Sequence, residues 1–289
     1  MDPQSPTVWR RWLAFELRRL REDTGLLQTD VGKACGWSGA RVSYIENAQQ
    51  RVAEKDLRKL LPLYEVPEAE WPRYVRAAEE SRKRGFWERP DDWGLPEGVS
   101  EYVGLEQGAA SIRYVEPAVV PGLLQTREYT TALLRSDVMP RTDQQIARAV
   151  DMRMTRQLAV TREDAPVELS AVIDEGVLHR AGGGAKAMAA QLDHLVAMAE
   201  RPNVTIRIVP FANGVNVCMV GAFRLMSFAW ESVPDIVYLE LRDRLVAIDD
   251  VQAVDYHGLV FAHLSKTALD AGSSLAMLRD LSEEFTRRA

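Results

Sequence analysis

The sequence predicts two domains, an all-helical domain over residues 1–80 and an α+β domain with an antiparallel sheet over residues 99–289. In the first domain, apolar residues recur at the spacing of amphipathic helices. Charged residues, glycines and prolines interrupt that spacing over residues 81–98, which predicts a linker. Beyond Pro166, short segments of alternating apolar and polar residues predict strands.

The first predicted helix covers residues 9–22, and two short helices joined by a glycine follow it. The first of these begins at Gln28 and ends at Gly36, which can adopt the left-handed conformation that terminates a helix. Ser38 is a favoured N-cap residue, so the second is predicted to begin at Gly39. Two more helices, predicted near residues 53–64 and 71–84, complete a unit of ordinary domain size.

The second short helix has two unlike faces. Val42 and Ile45 are three residues apart and are predicted to face inward. The residues predicted to face outward are Gly39, Ala40, Arg41 and Tyr44. This layout is typical of a helix-turn-helix, whose second helix enters a DNA groove.

Residues 13–65 resemble the phage-repressor, or Xre-type, helix-turn-helix family. The residues that carry the resemblance are Gly25-Leu26-Leu27-Gln28, Val31-Gly32, Cys35-Gly36-Trp37-Ser38, Val42-Ser43 and Ile45-Glu46-Asn47. The chain departs from the family at Leu27, where a threonine cap is usual, and at Asn47-Ala48, which lacks the usual glycine.

The resemblance implies roles for individual residues. It pairs Arg21 with Glu46, which we interpret as a structural contact that holds the second helix at a fixed angle. It implies that Gln28 contacts a phosphate. The residues that it places at the DNA surface are Ser38, Gly39, Ala40, Arg41 and Tyr44.

Charge supports a local DNA contact. Residues 1–85 contain 16 Lys and Arg against 13 Asp and Glu, while the whole chain has a net charge of −6. Arg41 can take guanine O6 and N7 together, which discriminates by about 1–3 kcal/mol, or it can contact only backbone phosphate. Tyr44 is predicted to contact a thymine methyl group or a phosphate, and Arg51 and Lys55 are predicted phosphate contacts.

The whole chain is typical of a soluble cytoplasmic protein. Its first residues lack the profile of a signal peptide, and no apolar run reaches the length that spans a bilayer. The two cysteines, Cys35 and Cys218, are far apart in sequence and are expected to be reduced. A sequence pI near 5.4 argues against a role in coating DNA.

Elements of both kinds are predicted in the second domain. Residues 102–112 are predicted as a helix face, and residues 113–126 as an extended link bounded by prolines. Further helices are predicted over residues 127–135, 142–162, 185–199, 251–268 and 275–288, and strands over residues 167–173, 204–209, 221–228 and 236–241. Short turns such as Ala212-Asn213-Gly214 favour an antiparallel sheet.

Residues 99–275 resemble DUF5753, a domain that follows Xre-type helix-turn-helix modules in actinobacterial regulators. The residues that carry the resemblance are Leu105-Glu106, Ala109, Ile112-Arg113, Glu116-Pro117, Val120-Pro121-Gly122-Leu123-Leu124-Gln125-Thr126, Glu128-Tyr129, Arg153, Arg156-Gln157, Asp174-Glu175, Pro202-Asn203-Val204 and Pro210-Phe211. The resemblance implies a small DUF397-type protein partner and roles in development and secondary metabolism.

Catalytic patterns are weak in this domain. None of the four histidines forms a His-Glu-x-x-His motif, and neither cysteine lies in a pair with zinc-ligand spacing. Gly182-Gly183-Gly184 matches no phosphate-binding loop and is predicted to be a flexible connection. We therefore expect no enzyme activity, no catalytic residue, no metal and no cofactor, although an enzyme hidden in this domain is a third hypothesis.

Polar residues embedded in apolar segments have two interpretations. These residues are Glu106, Arg113, Glu116, Gln125, Tyr129, Arg153, Arg156 and Gln157. One interpretation is an internal salt-bridge network, since Arg153, Arg156 and Gln157 share one helix face. The other is a site for an acidic or amide-bearing effector or for a partner.

The predicted function is sequence-specific transcriptional regulation. A homodimer is expected on double-stranded DNA, because one such helix reads only a few base pairs. The alternative is an antitoxin-like or scaffold protein that mainly holds a small DUF397-type partner, with DNA binding secondary.

Overall fold

The structure, a computed structural model, describes residues 5–88, 98–230, 232–241 and 244–289. It divides into two compact units. The first unit runs to Glu88 and also contains residues 107–109 and 228–234. The second unit contains the rest of the described chain. Most of the predicted linker, residues 89–97, lies outside the described residues.

Five helices form the first unit, as the sequence predicts. They are α1 (Pro6–Asp23), α2 (Gln28–Cys35), α3 (Gly39–Glu46), α4 (Glu54–Leu63) and α5 (Trp71–Glu80). The last helix ends four residues before its predicted end. Helix α1 packs against α3 and α5, and α2 packs against α3 and α4.

Aromatic rings fill the core of the first unit beside α1. The Trp12 ring stacks on Tyr74 of α5, with ring centroids 5.7 Å apart. Trp230 lies in the 228–234 segment, and its ring packs edge-on against Trp9 at 4.3 Å. The first unit therefore draws part of its core from residues more than 200 positions away in sequence.

Eight helices and six strands are described in the second unit. The helices are α6 (Val99–Gly108), α7 (Arg127–Arg135), α8 (Asp143–Arg156), α9 (Leu158–Thr161), α10 (Glu175–His179), α11 (Ala185–Ala199), α12 (Val251–Thr267) and α13 (Ala271–Arg288). The strands are β1 (Ser111–Glu116), β2 (Glu168–Asp174), β3 (Val204–Val209), β4 (Phe223–Ser227), β5 (Ile236–Glu240) and β6 (Leu245–Ile248). Among these described residues, no helix is both long and apolar enough to cross a membrane.

The sheet is mixed, so the prediction of an antiparallel sheet is wrong. The strand order is β3-β2-β1-β4-β5-β6. The pairs β1–β2 and β2–β3 are parallel, whereas β1–β4, β4–β5 and β5–β6 are antiparallel. The parallel half follows from its connections, because helices lie between β1 and β2 and between β2 and β3, and such crossovers join parallel strands.

Three predicted elements differ from the structure. The region predicted as an extended link begins with β1, the strand at the centre of the sheet. The short strand β6 was not predicted. The helix predicted over residues 142–162 is broken at Gln157, between α8 and α9.

Helix α12 covers one face of the sheet. Its Leu264 joins a buried apolar cluster with strand residues such as Val115, Val172 and Leu225. At the β3 edge of the sheet, the Ile208 amide donates to Ser274 Oγ at 3.0 Å and the Ile208 carbonyl accepts from the Leu269 amide at 2.9 Å. This contact satisfies backbone groups that an edge strand leaves open.

Candidate functional site

The turn between α2 and α3 depends on two glycines. Gly36 ends α2 with a left-handed φ of 70°, as predicted. A Cβ atom on Gly32 would lie 3.1 Å from the Trp37 carbonyl oxygen and 3.4 Å from the Gly39 nitrogen. A side chain at residue 32 would therefore require the backbone of the turn to shift by a few tenths of an ångström.

The outer face of α3 is open to solvent. Val42 and Ile45 are buried, whereas Ala40 is exposed and Tyr44 has 52% of its surface accessible. Ser38 occupies the N-cap position as predicted, but its hydroxyl forms no cap hydrogen bond and stays exposed. Small side chains and one tyrosine therefore form the surface that α3 presents.

Arg41 differs from the rest of this face because its guanidinium lies against the domain. Its Nη2 donates to Asp56 Oδ1 at 2.9 Å, and its Cζ lies 4.2 Å from the Trp37 ring centroid. The Arg41 side chain is 30% exposed. In this position Nη2 is paired with a carboxylate, while Nε is buried without a hydrogen-bond partner among the described residues.

The predicted pairing of Arg21 with Glu46 is confirmed. Arg21 Nε and Nη2 donate to the two Glu46 carboxylate oxygens at 2.6 and 3.0 Å, and both side chains are almost fully buried. The Glu46 hydrogen bond raises the pKa of Arg21. Gln28 Nε2 donates to the same carboxylate at 2.8 Å, so the beginning of α2 is tied to the end of α3.

The two predicted phosphate contacts after α3 have different surroundings. Arg51 Nη2 donates to Glu88 Oε2 at 2.8 Å, and its side chain is 39% exposed. Lys55 is exposed on α4. Lys55 is therefore the freer of the two predicted phosphate contacts, since Arg51 is paired with a carboxylate.

In the second unit, the central ion pair joins α6 to α8. Arg156 Nε and Nη2 each donate to a Glu106 carboxylate oxygen at 2.7 Å, and Glu106 is fully buried. Tyr102 donates its hydroxyl proton to Glu106 at 2.9 Å. This bidentate pair agrees with the interpretation of an internal network for Glu106 and Arg156.

A second arginine, missed by the sequence reasoning, pairs with Glu116. Arg224 of β4 donates to Glu116 Oε1 at 3.4 Å and to Glu240 Oε2 at 2.5 Å. Burial raises the pKa of Glu116 to about 7, although Arg224 opposes the shift. Because β1 and β4 are neighbours in the sheet and the two residues lie 108 positions apart, no local pattern could have paired them.

The remaining polar candidates surround Gln125. Arg153 Nη1 donates to Gln125 Oε1 at 2.5 Å, and Gln157 Nε2 donates to the Gln125 carbonyl at 2.6 Å. The Tyr129 hydroxyl accepts from the Val120 amide at 3.3 Å. The structure thus brings these predicted residues together at one place.

Arg113 lies apart from this group. Its Nη2 contacts Ser227 Oγ at 3.1 Å and Asp235 Oδ2 at 3.6 Å, and its Cζ lies 6.0 Å from the Phe261 ring on α12. It is on the opposite face of β1 from Tyr114, because successive strand residues face opposite sides. The predicted set is therefore divided between the two faces of the sheet.

The other sequence motifs have structural surroundings. Added Cβ atoms would lie 2.7 Å from the Tyr129 ring at Gly182 and 3.0 Å from Ala187 at Gly183, so these two glycines are packed closely on their neighbours, whereas an added Cβ at Gly184 would meet open space. Burial raises the pKa of the Cys218 thiol to about 12. In the described part of the chain, no three His, Cys, Asp or Glu side chains are grouped so that they could hold a metal ion.

Comparison with protein families identifies both regions. Residues 12–73 match a helix-turn-helix domain, and residues 99–280 match the domain of unknown function DUF5753. No curated protein and no solved structure matches the chain.

Proposed function

The chain belongs to the family of the domain of unknown function DUF5753, and from the helix-turn-helix domain that precedes it we propose that the protein is a sequence-specific DNA-binding transcriptional regulator. The observation that supports this proposal most directly is the outer face of α3. The inward-facing residues of α3, Val42 and Ile45, are buried. Ala40 and Tyr44 are exposed on the side that a groove-reading helix presents to DNA.

In the proposed complex, α3 enters the major groove with Ser38, Gly39, Ala40 and Tyr44 towards the bases. The small residues let the helix backbone approach the groove closely. Tyr44 contacts a thymine methyl group or a phosphate. Gln28 and Lys55 contact phosphates on either side of the groove, and these contacts set the register but carry no sequence information.

Arg41 contributes to specificity in the proposed complex by exchanging partners. Its guanidinium leaves the Asp56 carboxylate and binds a guanine or a phosphate. The contribution of Arg41 to the free energy of DNA binding is therefore the free energy of the DNA contact minus that of the Asp56 contact. Arg51 makes a similar exchange with Glu88.

We assign the second unit the role of receiving a small protein partner or an effector, without catalysis. The protein acts as a homodimer in the cytoplasm, since two-fold pairing doubles the contact that a single short helix makes. Binding of the partner or effector changes the affinity for DNA.

The test begins by mapping the genomic sites that the full-length protein binds, with and without a small DUF397-type protein. Affinity for the sequence found is then measured by fluorescence anisotropy at fixed salt concentration. Tyr44→Ala is expected to weaken specific binding at least tenfold. Arg58→Ala, which removes an exposed arginine paired with Glu54 on α4, is the matched control and is expected to bind like the wild type.

Two outcomes contradict the proposal. Equal affinity of Tyr44→Ala and the wild type for the mapped sequence excludes α3 as the reading helix. A protein that binds the small partner tightly but shows no preferred DNA sequence supports the alternative of an antitoxin-like or scaffold protein.

A further inference from the structure

Three arginines of the second unit, Arg153, Arg156 and Arg224, lie near one another. Among the described residues, Arg153 is the one of the three that has no ion pair with a carboxylate. Arg156 pairs with Glu106, and Arg224 pairs with Glu116 and Glu240. Arg153 makes one hydrogen bond within the described chain, from Nη1 to the neutral oxygen of Gln125. Since a guanidinium has five N–H donors, most of those of Arg153 are unused by the described residues.

Gln125 cannot compensate the charge of Arg153. Its side-chain oxygen also accepts from Thr130 Oγ1 at 3.0 Å, and its Nε2 donates to the Val120 carbonyl at 2.7 Å. The amide is buried and fully used by these contacts. It therefore holds the Arg153 guanidinium in a fixed position, while the charge stays unpaired.

The surroundings of Arg153 oppose its charge. Burial and the neighbouring Arg156 lower the pKa of Arg153 to about 10, and Arg224 acts in the same direction. Glu240 favours the charged form, but it has no ion pair with Arg153 in the described structure and its carboxylate is bound to Arg224. Arg156 and Arg224 bond directly to carboxylates, so Arg153 is the one of these three guanidiniums that has no carboxylate within hydrogen-bond distance among the described residues.

Access to the guanidinium is partial. Arg153 retains part of its solvent exposure, and none of its nitrogens is among the described side-chain atoms that are both fully buried and unsatisfied. A carboxylate or phosphate group matches the planar fork of a guanidinium and binds it with two charge-assisted hydrogen bonds.

We propose that Arg153, held by Gln125, anchors a binding site for a small molecule that carries a carboxylate or phosphate group. This molecule is the effector of the second unit, an assignment that rests on the proposed regulatory function. The anion accepts hydrogen bonds from the Arg153 donors that no described residue uses, and it stabilises the end of α8 against the segment around Gln125.

The first experiment measures the melting temperature of the full-length protein with sodium phosphate or sodium acetate, against sodium chloride at equal ionic strength. We expect phosphate, acetate or both to raise the melting temperature of the wild type by several degrees. Arg153→Gln is expected to lose this increase. The matched control is Arg135→Gln, which removes an exposed arginine on α7 and is expected to keep it.

An equal increase in Arg153→Gln and the wild type overturns the proposal, as does no increase in the wild type with either anion. Which of the two salts acts distinguishes a phosphate site from a carboxylate site.

A second measurement uses the wild type alone and so does not depend on how Arg153→Gln folds. Hydrogen exchange is followed in peptides that cover residues 120–130 and 147–157, with the active anion and with chloride. Slower exchange in both peptides is expected, and unchanged exchange in both contradicts the site.

DNA binding separates this inference from the proposed function. If the mapped sequence is bound but the anions neither stabilise the protein nor protect these peptides, the anion site is rejected and the regulator proposal stands. If the anions act at Arg153 but Tyr44→Ala leaves DNA affinity unchanged, the site stands and the regulator proposal fails.

Discussion

At the scale of single residues, two arginines next to α3 have different roles. Arg21 is buried and bidentate on Glu46, so it holds α3, the helix proposed to read DNA. Arg41 is partly exposed and makes one hydrogen bond to Asp56. The family pattern identified the first pair. The Asp56 contact could not be predicted, because it depends on how α4 packs beside α3.

Replacing Arg21 by methionine is expected to lower the free energy of unfolding of the first unit by about 3–5 kcal/mol, because the buried Glu46 carboxylate loses its cation. Urea denaturation followed by tryptophan fluorescence measures this, since Trp9, Trp12 and Trp37 lie in this unit. The double variant Arg21→Met, Glu46→Met is expected to recover most of the loss. A double variant as unstable as the single one would argue against an effect of the unpaired charge.

Replacing Asp56 by asparagine is expected to strengthen DNA binding about fivefold, roughly the 1 kcal/mol of one partly exposed ion pair. The amide keeps an acceptor for the Ala53 amide, which Asp56 Oδ2 bonds at 3.2 Å, so α4 retains its N-terminal contact. Anisotropy with the mapped sequence measures the change. Unchanged or weaker binding would show that Arg41 works from its position against Trp37 and not by exchange.

At the scale of elements, the ends of α3 show how the chain departs from the family without losing the fold. Ala48 adopts a left-handed φ of 56°, so an alanine takes the conformation usual for the missing glycine. At the start of α2, Leu27 provides no side-chain cap, and the Asp30 carboxylate accepts from the Leu27 amide at 3.2 Å. Both helices keep their expected ends despite these departures.

Replacing Ala48 by glycine is expected to raise the free energy of unfolding of the first unit by up to about 1 kcal/mol. The left-handed conformation costs an alanine roughly 1–2 kcal/mol, and the extra freedom of glycine in the unfolded chain removes about 0.4–1 kcal/mol of the gain. Urea denaturation measures the difference. Gly36→Ala is the reverse control. Gly36 has a φ of 70° and an added Cβ would meet open space, so the backbone strain alone is expected to lower the free energy of unfolding.

The sheet was harder to predict than the helices. β1 pairs with strands on both sides, and its Tyr114 and Val115 are both buried although they face opposite sides of the sheet. The alternation of apolar and polar residues that marks a half-exposed strand is therefore weak in β1. The helix at residues 185–199 connects the parallel strands β2 and β3, a crossover that the prediction of an antiparallel sheet did not take into account.

At the scale of the whole molecule, the second unit is connected through buried charges that come from distant segments. Glu106 on α6 pairs with Arg156 on α8, and Glu116 on β1 pairs with Arg224 on the neighbouring strand β4. Their energy therefore depends on the complete fold, and the pKa of Glu116 makes that dependence measurable.

The free energy of unfolding of the wild type is expected to fall as pH rises from 5 to 8. Glu116 has a pKa of about 7 in the folded protein against 4.5 without burial, so the folded state binds its proton more tightly than the unfolded chain does. The stabilisation is complete below about pH 4.5 and is lost through pH 7, and it amounts to about 3 kcal/mol at most.

Glu116→Gln tests this expectation because the amide cannot ionise in this range. Urea denaturation followed by far-ultraviolet circular dichroism at pH 5.5, 7 and 8 gives the difference between variant and wild type. The variant is expected to gain relative stability as pH rises. A difference that is constant across this range would show that Glu116 is ionised throughout, held by Arg224.

The sequence by itself determined the helical first unit, the turn at Gly36, the inward and outward faces of α3 and the presence of a mixed helix and strand domain. Those features follow from the spacing of apolar residues, from helix-capping residues and from glycines, whose effects extend over about ten residues of sequence. Only the tertiary structure decided the strand order, the parallel half of the sheet, the pairing of Arg41 with Asp56 and the unpaired charge of Arg153. These depend on distances between groups far apart in the chain, which packing sets and local sequence does not encode.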